Sequence, residues 1–368
     1  MSISIGIIGL PQSGKTTVFN ALTGGRADTV AHGTGGLAPN VGMAHVPEPR
    51  LNVLEDILHP ARTVYSEVKY VDIGASVKSL AADKGIGGQL LNQLSAVDTL
   101  ICVVRAFKDE SVPHPNGSID VKRDIEALDM ELIFSDLAIM ERRLERLENN
   151  MKAARPGERA AFLQEKEILL KMKAEMENDK PIRTLPIDDS AHRYITNYQF
   201  LTAKPLLIVV NIGEEQLPES TALEKEMDSR FSGTGKGVAV MCGKLEMELA
   251  QLDESAAKEF RRDYGLTESG LEHTIRKSYE LSDLITFFTI ASNEIRAWPL
   301  KKGTTAQKAA GKIHTDMEKG FIRAETIKLD ELVKAGSIAE ARKKGVLRLE
   351  GKEYIIKDGD VITFLFNV

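Results

Sequence analysis

Close to the amino terminus, two glycines, a lysine and a threonine have the spacing of a phosphate-binding loop. The pattern G-x-x-x-x-G-K-T directly follows an apolar run and consists of Gly9, Gly14, Lys15 and Thr16. In such a loop the glycines let backbone N–H groups face the phosphates, the lysine reaches the β- and γ-phosphates, and the threonine hydroxyl ligates Mg²⁺. A helix predicted to begin near Lys15 directs its positive end at the same charge. The sequence therefore predicts a nucleotide site with contacts from Gln12, Ser13, Gly14, Lys15, Thr16 and Thr17.

A second chemical element follows the apolar run "LLIVV" and should read the base of the nucleotide. GTPases carry N-K-x-D there, and its aspartate accepts hydrogen bonds from two donors of guanine. This chain has Asn211, Ile212 and Glu214 instead, and buried guanine donors without a partner would weaken binding strongly. Asn211 can still meet the amino group of adenine. The motif therefore favours ATP over GTP, and GTP binding through another group stays open.

Composition is that of a soluble cytoplasmic protein. The chain has 368 residues, of which 42% are hydrophobic and 28% charged, and its formal net charge is −6; such values are ordinary for a globular protein. Cys102 and Cys242 both lie in apolar runs, as buried thiols of a reducing compartment do. No signal-peptide pattern opens the chain, and no apolar run approaches the roughly 20 residues of a membrane span. We expect a monomer without membrane or DNA partners.

The order of apolar runs predicts an α/β nucleotide-binding domain formed by residues 1–118 and 204–282. In both segments, apolar runs alternate with amphipathic stretches, as the βα units of a parallel sheet do. The last segment, residues 283–368, combines short apolar strands with one helix predicted from about Ala306 to His314. Strands wrapped around one helix indicate a small β-grasp module, which is typically a docking unit.

The residues between the two parts of the α/β domain, 119–203, are predicted to form an inserted coiled-coil hairpin. Charge is dense there, and apolar residues recur alternately four and three positions apart, which is the spacing of a helical seam. The seam consists of Ile133, Leu137, Met140, Leu144, Leu147 and Met151. Pro156-Gly157 should break this helix, after which the returning seam consists of Leu169, Met172 and Met176.

With these motifs the chain resembles the Obg-like ATPases, the YchF family of the translation-factor class of P-loop GTPases. The resemblance covers essentially the whole length and rests on G-L-P-x-x-G-K-T, "APNVG" at 38–42, "VVRAF" at 103–107 and N-x-x-E at 211–214. The segments "IHTDMEKGFIRAE" and "DGDVITFLFNV" look like a TGS domain, the β-grasp module of threonyl-tRNA synthetases and stringent-response enzymes. The resemblance implies slow Mg²⁺-dependent ATP hydrolysis and association with the ribosome or ribosomal RNA.

Both switch regions depart from the pattern of this family. Asp72 can still hold magnesium through a water, but Ala75 and Ser76 alter the D-I-A-G-L motif that the family has there. A threonine that completes the magnesium shell is expected three residues before Pro39, where this chain has a glycine. Thr34 is therefore the candidate ligand in the first switch. The residues predicted to bind the phosphates are therefore all present, whereas the switch residues predicted to promote hydrolysis are altered.

His114 is the candidate catalytic residue. It lies in "ESVPHPNG", after a predicted strand, and loops at the carboxyl ends of parallel strands face the ligand. A histidine can act on an attacking water near neutral pH, and the family has a histidine in this place; a solvent-exposed loop histidine is the alternative. We therefore predict a slow ATPase switch, with a non-hydrolysing nucleotide sensor and a GTPase as the alternatives.

Overall fold

The computed structural model describes residues 3–25, 39–73, 88–266, 268–291 and 293–367. Its strands are β1 Ile3–Gly9, β2 Asn40–His45, β3 Arg62–Val64, β4 Glu67–Asp72, β5 Thr99–Arg105, β6 Leu206–Asn211, β7 Lys236–Met241, β8 Leu284–Ala291, β9 Glu294–Lys301, β10 Phe321–Lys328, β11 Arg348–Glu350 and β12 Asp360–Phe366. Its α-helices are α1 Lys15–Thr23, α2 Pro49–Leu58, α3 Gly88–Ser95, α4 Val121–Ala153, α5 Pro156–Met176, α6 Asp189–Tyr198, α7 Ser220–Phe231, α8 Gly243–Leu249, α9 Glu254–Asp263, α10 Gly270–Leu281, α11 Ala306–Ile313, α12 Thr315–Lys319, α13 Leu329–Ala335 and α14 Ile338–Lys343.

Contacts divide the chain into two compact units, where the sequence predicted three parts. The larger unit consists of Ser4–Gly42 and Lys69–Leu281, and the smaller unit of Met1–Ile3, Met43–Val68 and Ser282–Val368. Helix α2 and strand β3 therefore belong with the C-terminal residues, although the sequence assigned them to the nucleotide-binding domain. The helical hairpin belongs to the larger unit.

The larger unit is built on a sheet with the strand order β2-β4-β1-β5-β6-β7. Strands β1, β5, β6 and β7 run parallel in register. Every residue of β5 and β6 is buried, which is typical of strands in a parallel sheet that is covered on both faces. The parallel register brings the ends of β1, β5 and β6 to one edge, with Gly9 beside Val103 and Arg105 beside Asn211. The predicted α/β class is thus confirmed.

Helices α4 and α5 form the predicted hairpin. Its buried seam consists of Ile133, Met140, Leu147, Leu169, Met172 and Met176, which confirms the heptad assignment. The break comes slightly earlier than predicted, because α4 ends at Ala153 and Pro156 is already the first residue of α5. A proline is tolerated at this position because its missing N–H would have no partner within the helix. None of the described helices is both long and apolar enough to cross a membrane.

The smaller unit is built on a second sheet, with the strand order β11-β10-β12-β8-β9-β3. The predicted helix is present as α11, and its alanines at 306, 309 and 310 pack in one core cluster with Phe287 and Phe364. Strand β10 was not predicted; it pairs antiparallel with β12. Just before Asp358, the described chain forms only an isolated bridge, between Thr305 and Ile355.

Candidate functional site

The predicted phosphate-binding loop joins β1 to α1 and requires its second glycine. Gly14 has a φ of 86°, and a Cβ atom built on it would lie 2.3 Å from Nδ2 of Asn211. Both the backbone conformation and the close approach therefore exclude a side chain. Gln12 has a left-handed φ of 61°, and Ser13 is buried with its carbonyl oxygen accepting a hydrogen bond from Asn211. Thr17 follows in the first turn of α1.

Lys15 folds back onto the loop that precedes it. Its Nζ donates to the carbonyl oxygens of Gly9 at 3.2 Å and Leu10 at 3.0 Å. Burial lowers the pKa of Lys15, an effect that the nearby Asp72 carboxylate opposes. Because burial disfavours the ammonium, an anion bound in the loop would stabilise its charged form.

Thr16 and Asp72 lie together, as the sequence predicted for two metal ligands. Thr16 Oγ1 donates to Asp72 Oδ2 at 2.9 Å, and Asn40 Nδ2 lies 3.4 Å from the same oxygen. The Asp72 side chain is buried, and its Oδ1 has no hydrogen-bond partner among the described residues. A buried polar atom without a protein partner is costly, and a water or a cation can satisfy it. Oxygen donors of this kind fit Mg²⁺.

The other parts of the predicted switches lie outside the described residues. They are Thr34, the third predicted metal ligand, and Gly36, Ala75 and Ser76. Within the described ranges there is no group of three or more His, Cys, Asp or Glu side chains that could hold a metal ion. Protein sites for Mg²⁺ often supply only one or two carboxylates, and phosphates of the substrate complete the shell. A single aspartate with a hydroxyl is therefore a sufficient protein contribution.

Asn211 connects three segments of the site. Its Nδ2 donates to the Ser13 carbonyl oxygen at 3.1 Å, and its Oδ1 accepts the Gly243 N–H at 3.0 Å. Its backbone carbonyl accepts the N–H groups of Ala106 at 2.8 Å and Phe107 at 3.2 Å. The amide predicted to meet adenine thus also holds the phosphate loop and the segment after β7. A side-chain amide has a second N–H and a second lone pair, so a base contact is compatible with these bonds.

The other two predicted base-binding residues have different surroundings. Ile212 is 2% exposed and packs in the core of the larger unit, with its N–H bonded to the Met241 carbonyl oxygen. Glu214 is partly exposed, and its Oε1 lies 3.6 Å from Lys244 Nζ. Lys244 was not predicted as a site residue, although it directly follows the apolar run "GVAVMCG". The structure thus adds a cation beside Glu214, one of the residues predicted to border the base.

His114 is buried at the start of the hairpin. Its Nδ1 accepts the Asn116 N–H at 3.1 Å, and its Nε2 lies 2.9 Å from Oδ2 of Asp124 on α4. The side chains of His114 and Asp124 are 5% and 1% exposed, so the alternative of a solvent-exposed histidine is wrong. In the described conformation Nδ1 uses its lone pair for the Asn116 N–H, and Nε2 lies at ion-pair distance from the Asp124 carboxylate, so His114 is not placed to take a proton from water.

Comparisons with known proteins agree with this fold. Residues 4–135 match the family model MMR_HSR1, described as a 50S ribosome-binding GTPase, and residues 284–367 match YchF-GTPase_C, described as a protein of unknown function (DUF933). The Ribosome-binding ATPase YchF of Bacillus subtilis (strain 168) is 38% identical over 370 residues, covering 100% of both chains. The protein of that name from Escherichia coli O157:H7 is 37% identical over 368 residues, again with 100% of both chains covered.

A solved structure is similar over nearly the whole chain. It is titled Structure of the Schizosaccharomyces pombe YchF GTPase, has a TM-score of 0.83 and 28% sequence identity, and covers 99% of this chain and 98% of that chain. A phosphate loop on a parallel sheet, an inserted hairpin and full-length similarity to named relatives lead to one assignment. The chain belongs to the YchF family.

Proposed function

We propose that this chain is a nucleotide-controlled switch that binds ATP with Mg²⁺, hydrolyses it slowly and associates with the ribosome. The observation that carries the proposal is the pair Thr16 and Asp72 beside Lys15, where a buried carboxylate oxygen lacks a partner among the described residues. Relatives from two bacteria are named ribosome-binding ATPases, and the proposal extends that activity and partner to this chain. Association with ribosomes would locate it in the cytoplasm.

In this proposal each predicted residue has a stated role. The backbone of residues 12–17 cradles the phosphates, and Lys15 leaves its carbonyl partners to contact them. Thr16 and Asp72 hold Mg²⁺, and Thr34 is the ligand from the first switch. When bound, the ion neutralises charge that develops on the phosphates during transfer. The base is bordered by Asn211, Ile212 and Glu214.

His114 is proposed to act on the attacking water after a local rearrangement. Its Nδ1 would give up the Asn116 N–H and accept a proton, while Asp124 stays at Nε2 and stabilises the charged ring. The same contacts favour a second candidate function, a nucleotide sensor that does not hydrolyse, because both ring nitrogens are engaged in the described conformation. Turnover decides between the two functions.

The deciding experiment titrates ATP, ADP, GTP and GDP in parallel, with and without Mg²⁺. Lys15→Ala removes a charge-assisted contact and should weaken ATP binding by about 100-fold. Lys225→Ala is the matched control, because Lys225 is an exposed lysine on α7, and it should bind like the wild type. Wild-type affinity in Lys15→Ala would overturn the site. Tighter binding of GTP than of ATP would overturn the ATP assignment, as the GTPase title of the S. pombe relative would suggest.

Phosphate release separates the ATPase from the sensor. The wild type should release phosphate from ATP slowly, and Lys15→Ala should release none, which also excludes contaminating ATPases. Binding without release by the wild type would favour the sensor.

Ribosome association requires the full chain as the test protein. A truncation at Asp283 would leave Met43–Val68 without the rest of its unit. Co-sedimentation with ribosomes should differ between a non-hydrolysable ATP analogue and ADP. Equal pelleting in both states and in Lys15→Ala would contradict nucleotide control.

A further inference from the structure

Arg105 is a buried arginine at the end of β5, and its side chain is used entirely within one loop. The residue is 3% exposed. Its Nε donates to the Phe107 carbonyl oxygen at 3.1 Å, its Nη1 to that of Val112 at 2.8 Å and its Nη2 to that of Asp109 at 3.2 Å. The guanidinium carbon also lies 4.4 Å from the centroid of the Phe107 ring. Three carbonyls of the segment 107–112 thus converge on one planar cation.

The energetics make the loop depend on this side chain. A buried guanidinium is costly unless its donors are matched, and here backbone carbonyls match all three nitrogens. Conversely, these three carbonyls would lose their partner if the guanidinium were removed. A lysine offers one point-like ammonium and cannot reproduce the planar fork of donors. Because its nitrogens donate into the loop, Arg105 is engaged there and does not present a free guanidinium to the phosphates.

The loop that Arg105 organises lies between the phosphate loop and His114. At its start, the N–H groups of Ala106 and Phe107 donate to the Asn211 carbonyl oxygen. The Phe107 ring lies 3.7 Å from the point where a Cβ atom on Gly14 would stand. After Val112, only Pro113 separates the loop from His114. The shape of this short segment therefore determines where both Phe107 and His114 stand relative to the nucleotide.

We propose that Arg105 is a positioning residue for nucleotide hydrolysis, which acts by holding the loop 107–112 so that His114 can reach its working position. The inference rests on the proposed function in so far as it assigns His114 to hydrolysis. Arg105 touches neither nucleotide nor water in this role. Arg105 affects turnover because it positions His114, and any effect on binding arises because it positions Phe107.

The test compares Arg105→Met and Arg105→Lys with Arg230→Met, which removes an exposed arginine on α7. In Arg105→Met we expect kcat for ATP to fall about tenfold or more, because small misplacements of catalytic groups are expensive. The Kd for ATP should change by less than about threefold, since the phosphate loop itself is intact. Arg105→Lys should lie between Arg105→Met and the wild type, and Arg230→Met should match the wild type. A rise in Kd by the same factor as the fall in kcat would overturn the proposal.

Amide hydrogen exchange supplies a readout that does not depend on catalysis. Arg105→Met should speed the exchange of amides in residues 107–116, while α1 and β6 keep wild-type exchange. If Arg105→Met does not fold, as judged by circular dichroism, the same comparison is made with Arg105→Lys. Unchanged exchange in residues 107–116 of a folded variant would overturn the positioning role.

A double-mutant cycle with His114→Ala separates the two proposals. If Arg105 acts through His114, Arg105→Met should cause little further loss of kcat once His114 is absent. If the fold losses of kcat in the two single variants multiply in the double variant, Arg105 does not act through His114. If His114→Ala alone leaves kcat unchanged, the catalytic role proposed for His114 fails, and hydrogen exchange still decides whether Arg105 holds the loop.

Discussion

Two carboxylates beside the sheet of the larger unit, the buried Asp72 and the partly buried Glu224, differ in how their oxygens are satisfied. Asp72, at the end of β4, bonds Thr16 and Asn40 through Oδ2, whereas its Oδ1 has no partner among the described residues. Glu224, on α7, has partners at both oxygens. Both acids lie beside the same sheet, but Asp72 is the more deeply buried, and of the two it alone has an oxygen without a partner among the described residues.

The contacts of Glu224 hold the free edge of β7. Its Oε1 lies 2.8 Å from His273 Nε2 and 2.6 Å from Lys277 Nζ, and its Oε2 accepts the Val240 N–H at 2.9 Å. Lys277 also donates to the Val238 carbonyl oxygen at 2.5 Å. Burial alone would raise the pKa of Glu224, but these hydrogen bonds outweigh it and lower the pKa to about 2. Covering strand-edge groups with charged side chains is a known protection against unwanted pairing.

A cavity of about 520 Å³ lies beside Glu224. Its lining includes Glu224, His273, Lys277 and Ile212, but no residue of the phosphate loop. Its central acid is satisfied by the protein, whereas Asp72, outside the cavity, keeps an unpaired oxygen. A buried oxygen without a protein partner can accept a bond from a water, an ion or a ligand, whereas a carboxylate whose two oxygens are both bonded within the protein contributes to stability.

The largest effect expected from this comparison is on magnesium-dependent binding. Asp72→Asn keeps an acceptor for Thr16 and removes the charge, so the Mg²⁺-dependent gain in ATP affinity should fall by about 100-fold. Glu224→Gln, the matched amide substitution, should leave that gain within about twofold. Isothermal titration with ATP, at zero and saturating Mg²⁺, measures both variants. Equal losses in the two variants would refute the distinction between the two acids.

The next effect is on the free energy of unfolding, and here Glu224→Gln should cause the larger change and Asp72→Asn the smaller. Glu224→Gln should lower the free energy of unfolding by about 2 kcal/mol at pH 7, because a carboxylate with a depressed pKa stabilises the folded state. Asp72→Asn should change it by less than about 1 kcal/mol, since an amide oxygen at this position can still accept the Thr16 hydroxyl. Denaturant unfolding monitored by circular dichroism provides the measurement.

The pH dependence of Glu224→Gln has a defined sign. The folded-state pKa of about 2 lies below the ordinary value of 4.5, so the contribution of Glu224 is fully present above about pH 4.5 and is lost as pH falls toward 2. The difference in the free energy of unfolding between the wild type and Glu224→Gln should therefore become smaller from pH 7 to pH 3. A gap that widens in acid would contradict the lowered pKa.

The phosphate loop and the hairpin seam could be read from the sequence because their determinants are local. Gly14 is required by its own backbone angle, and the seam follows the helical period within α4 and α5. Strand β10 could not be read in this way. A register shift between Phe321 and Arg323 disturbs its alternation, and its fully buried residues include the small Ala324 and the polar Thr326.

The environment of His114 depends on residues that the sequence does not place beside it. Its partner Asp124 is ten positions later, on another element, and only the turn at 114–118 brings the two together. The placement of α2 and β3 in the smaller unit is likewise a tertiary choice without a local signal. Sequence patterns therefore predicted the loop that joins β1 to α1, and they missed the contacts that hold the candidate catalytic group.

The smallest effect concerns Glu214 and Lys244, a pair that is neither buried nor closely bonded. Their side chains are 41% and 69% exposed and their charged atoms are 3.6 Å apart, so the pair should contribute at most about 0.5 kcal/mol to stability. Lys244→Ala should therefore leave stability and the ATP/GTP affinity ratio almost unchanged.

If Glu214 takes part in base selection, Glu214→Asp should shift that ratio toward GTP by a few-fold, because the shorter acid resembles the acceptor of guanine-binding motifs. Ile212→Lys, the other change that would mimic those motifs, is unsuitable, because Ile212 is 2% exposed and a buried lysine would destabilise the core. An ATP/GTP ratio that moves equally in Lys244→Ala and Glu214→Asp would assign the effect to the ion pair, and Glu214 would lose its role in base selection.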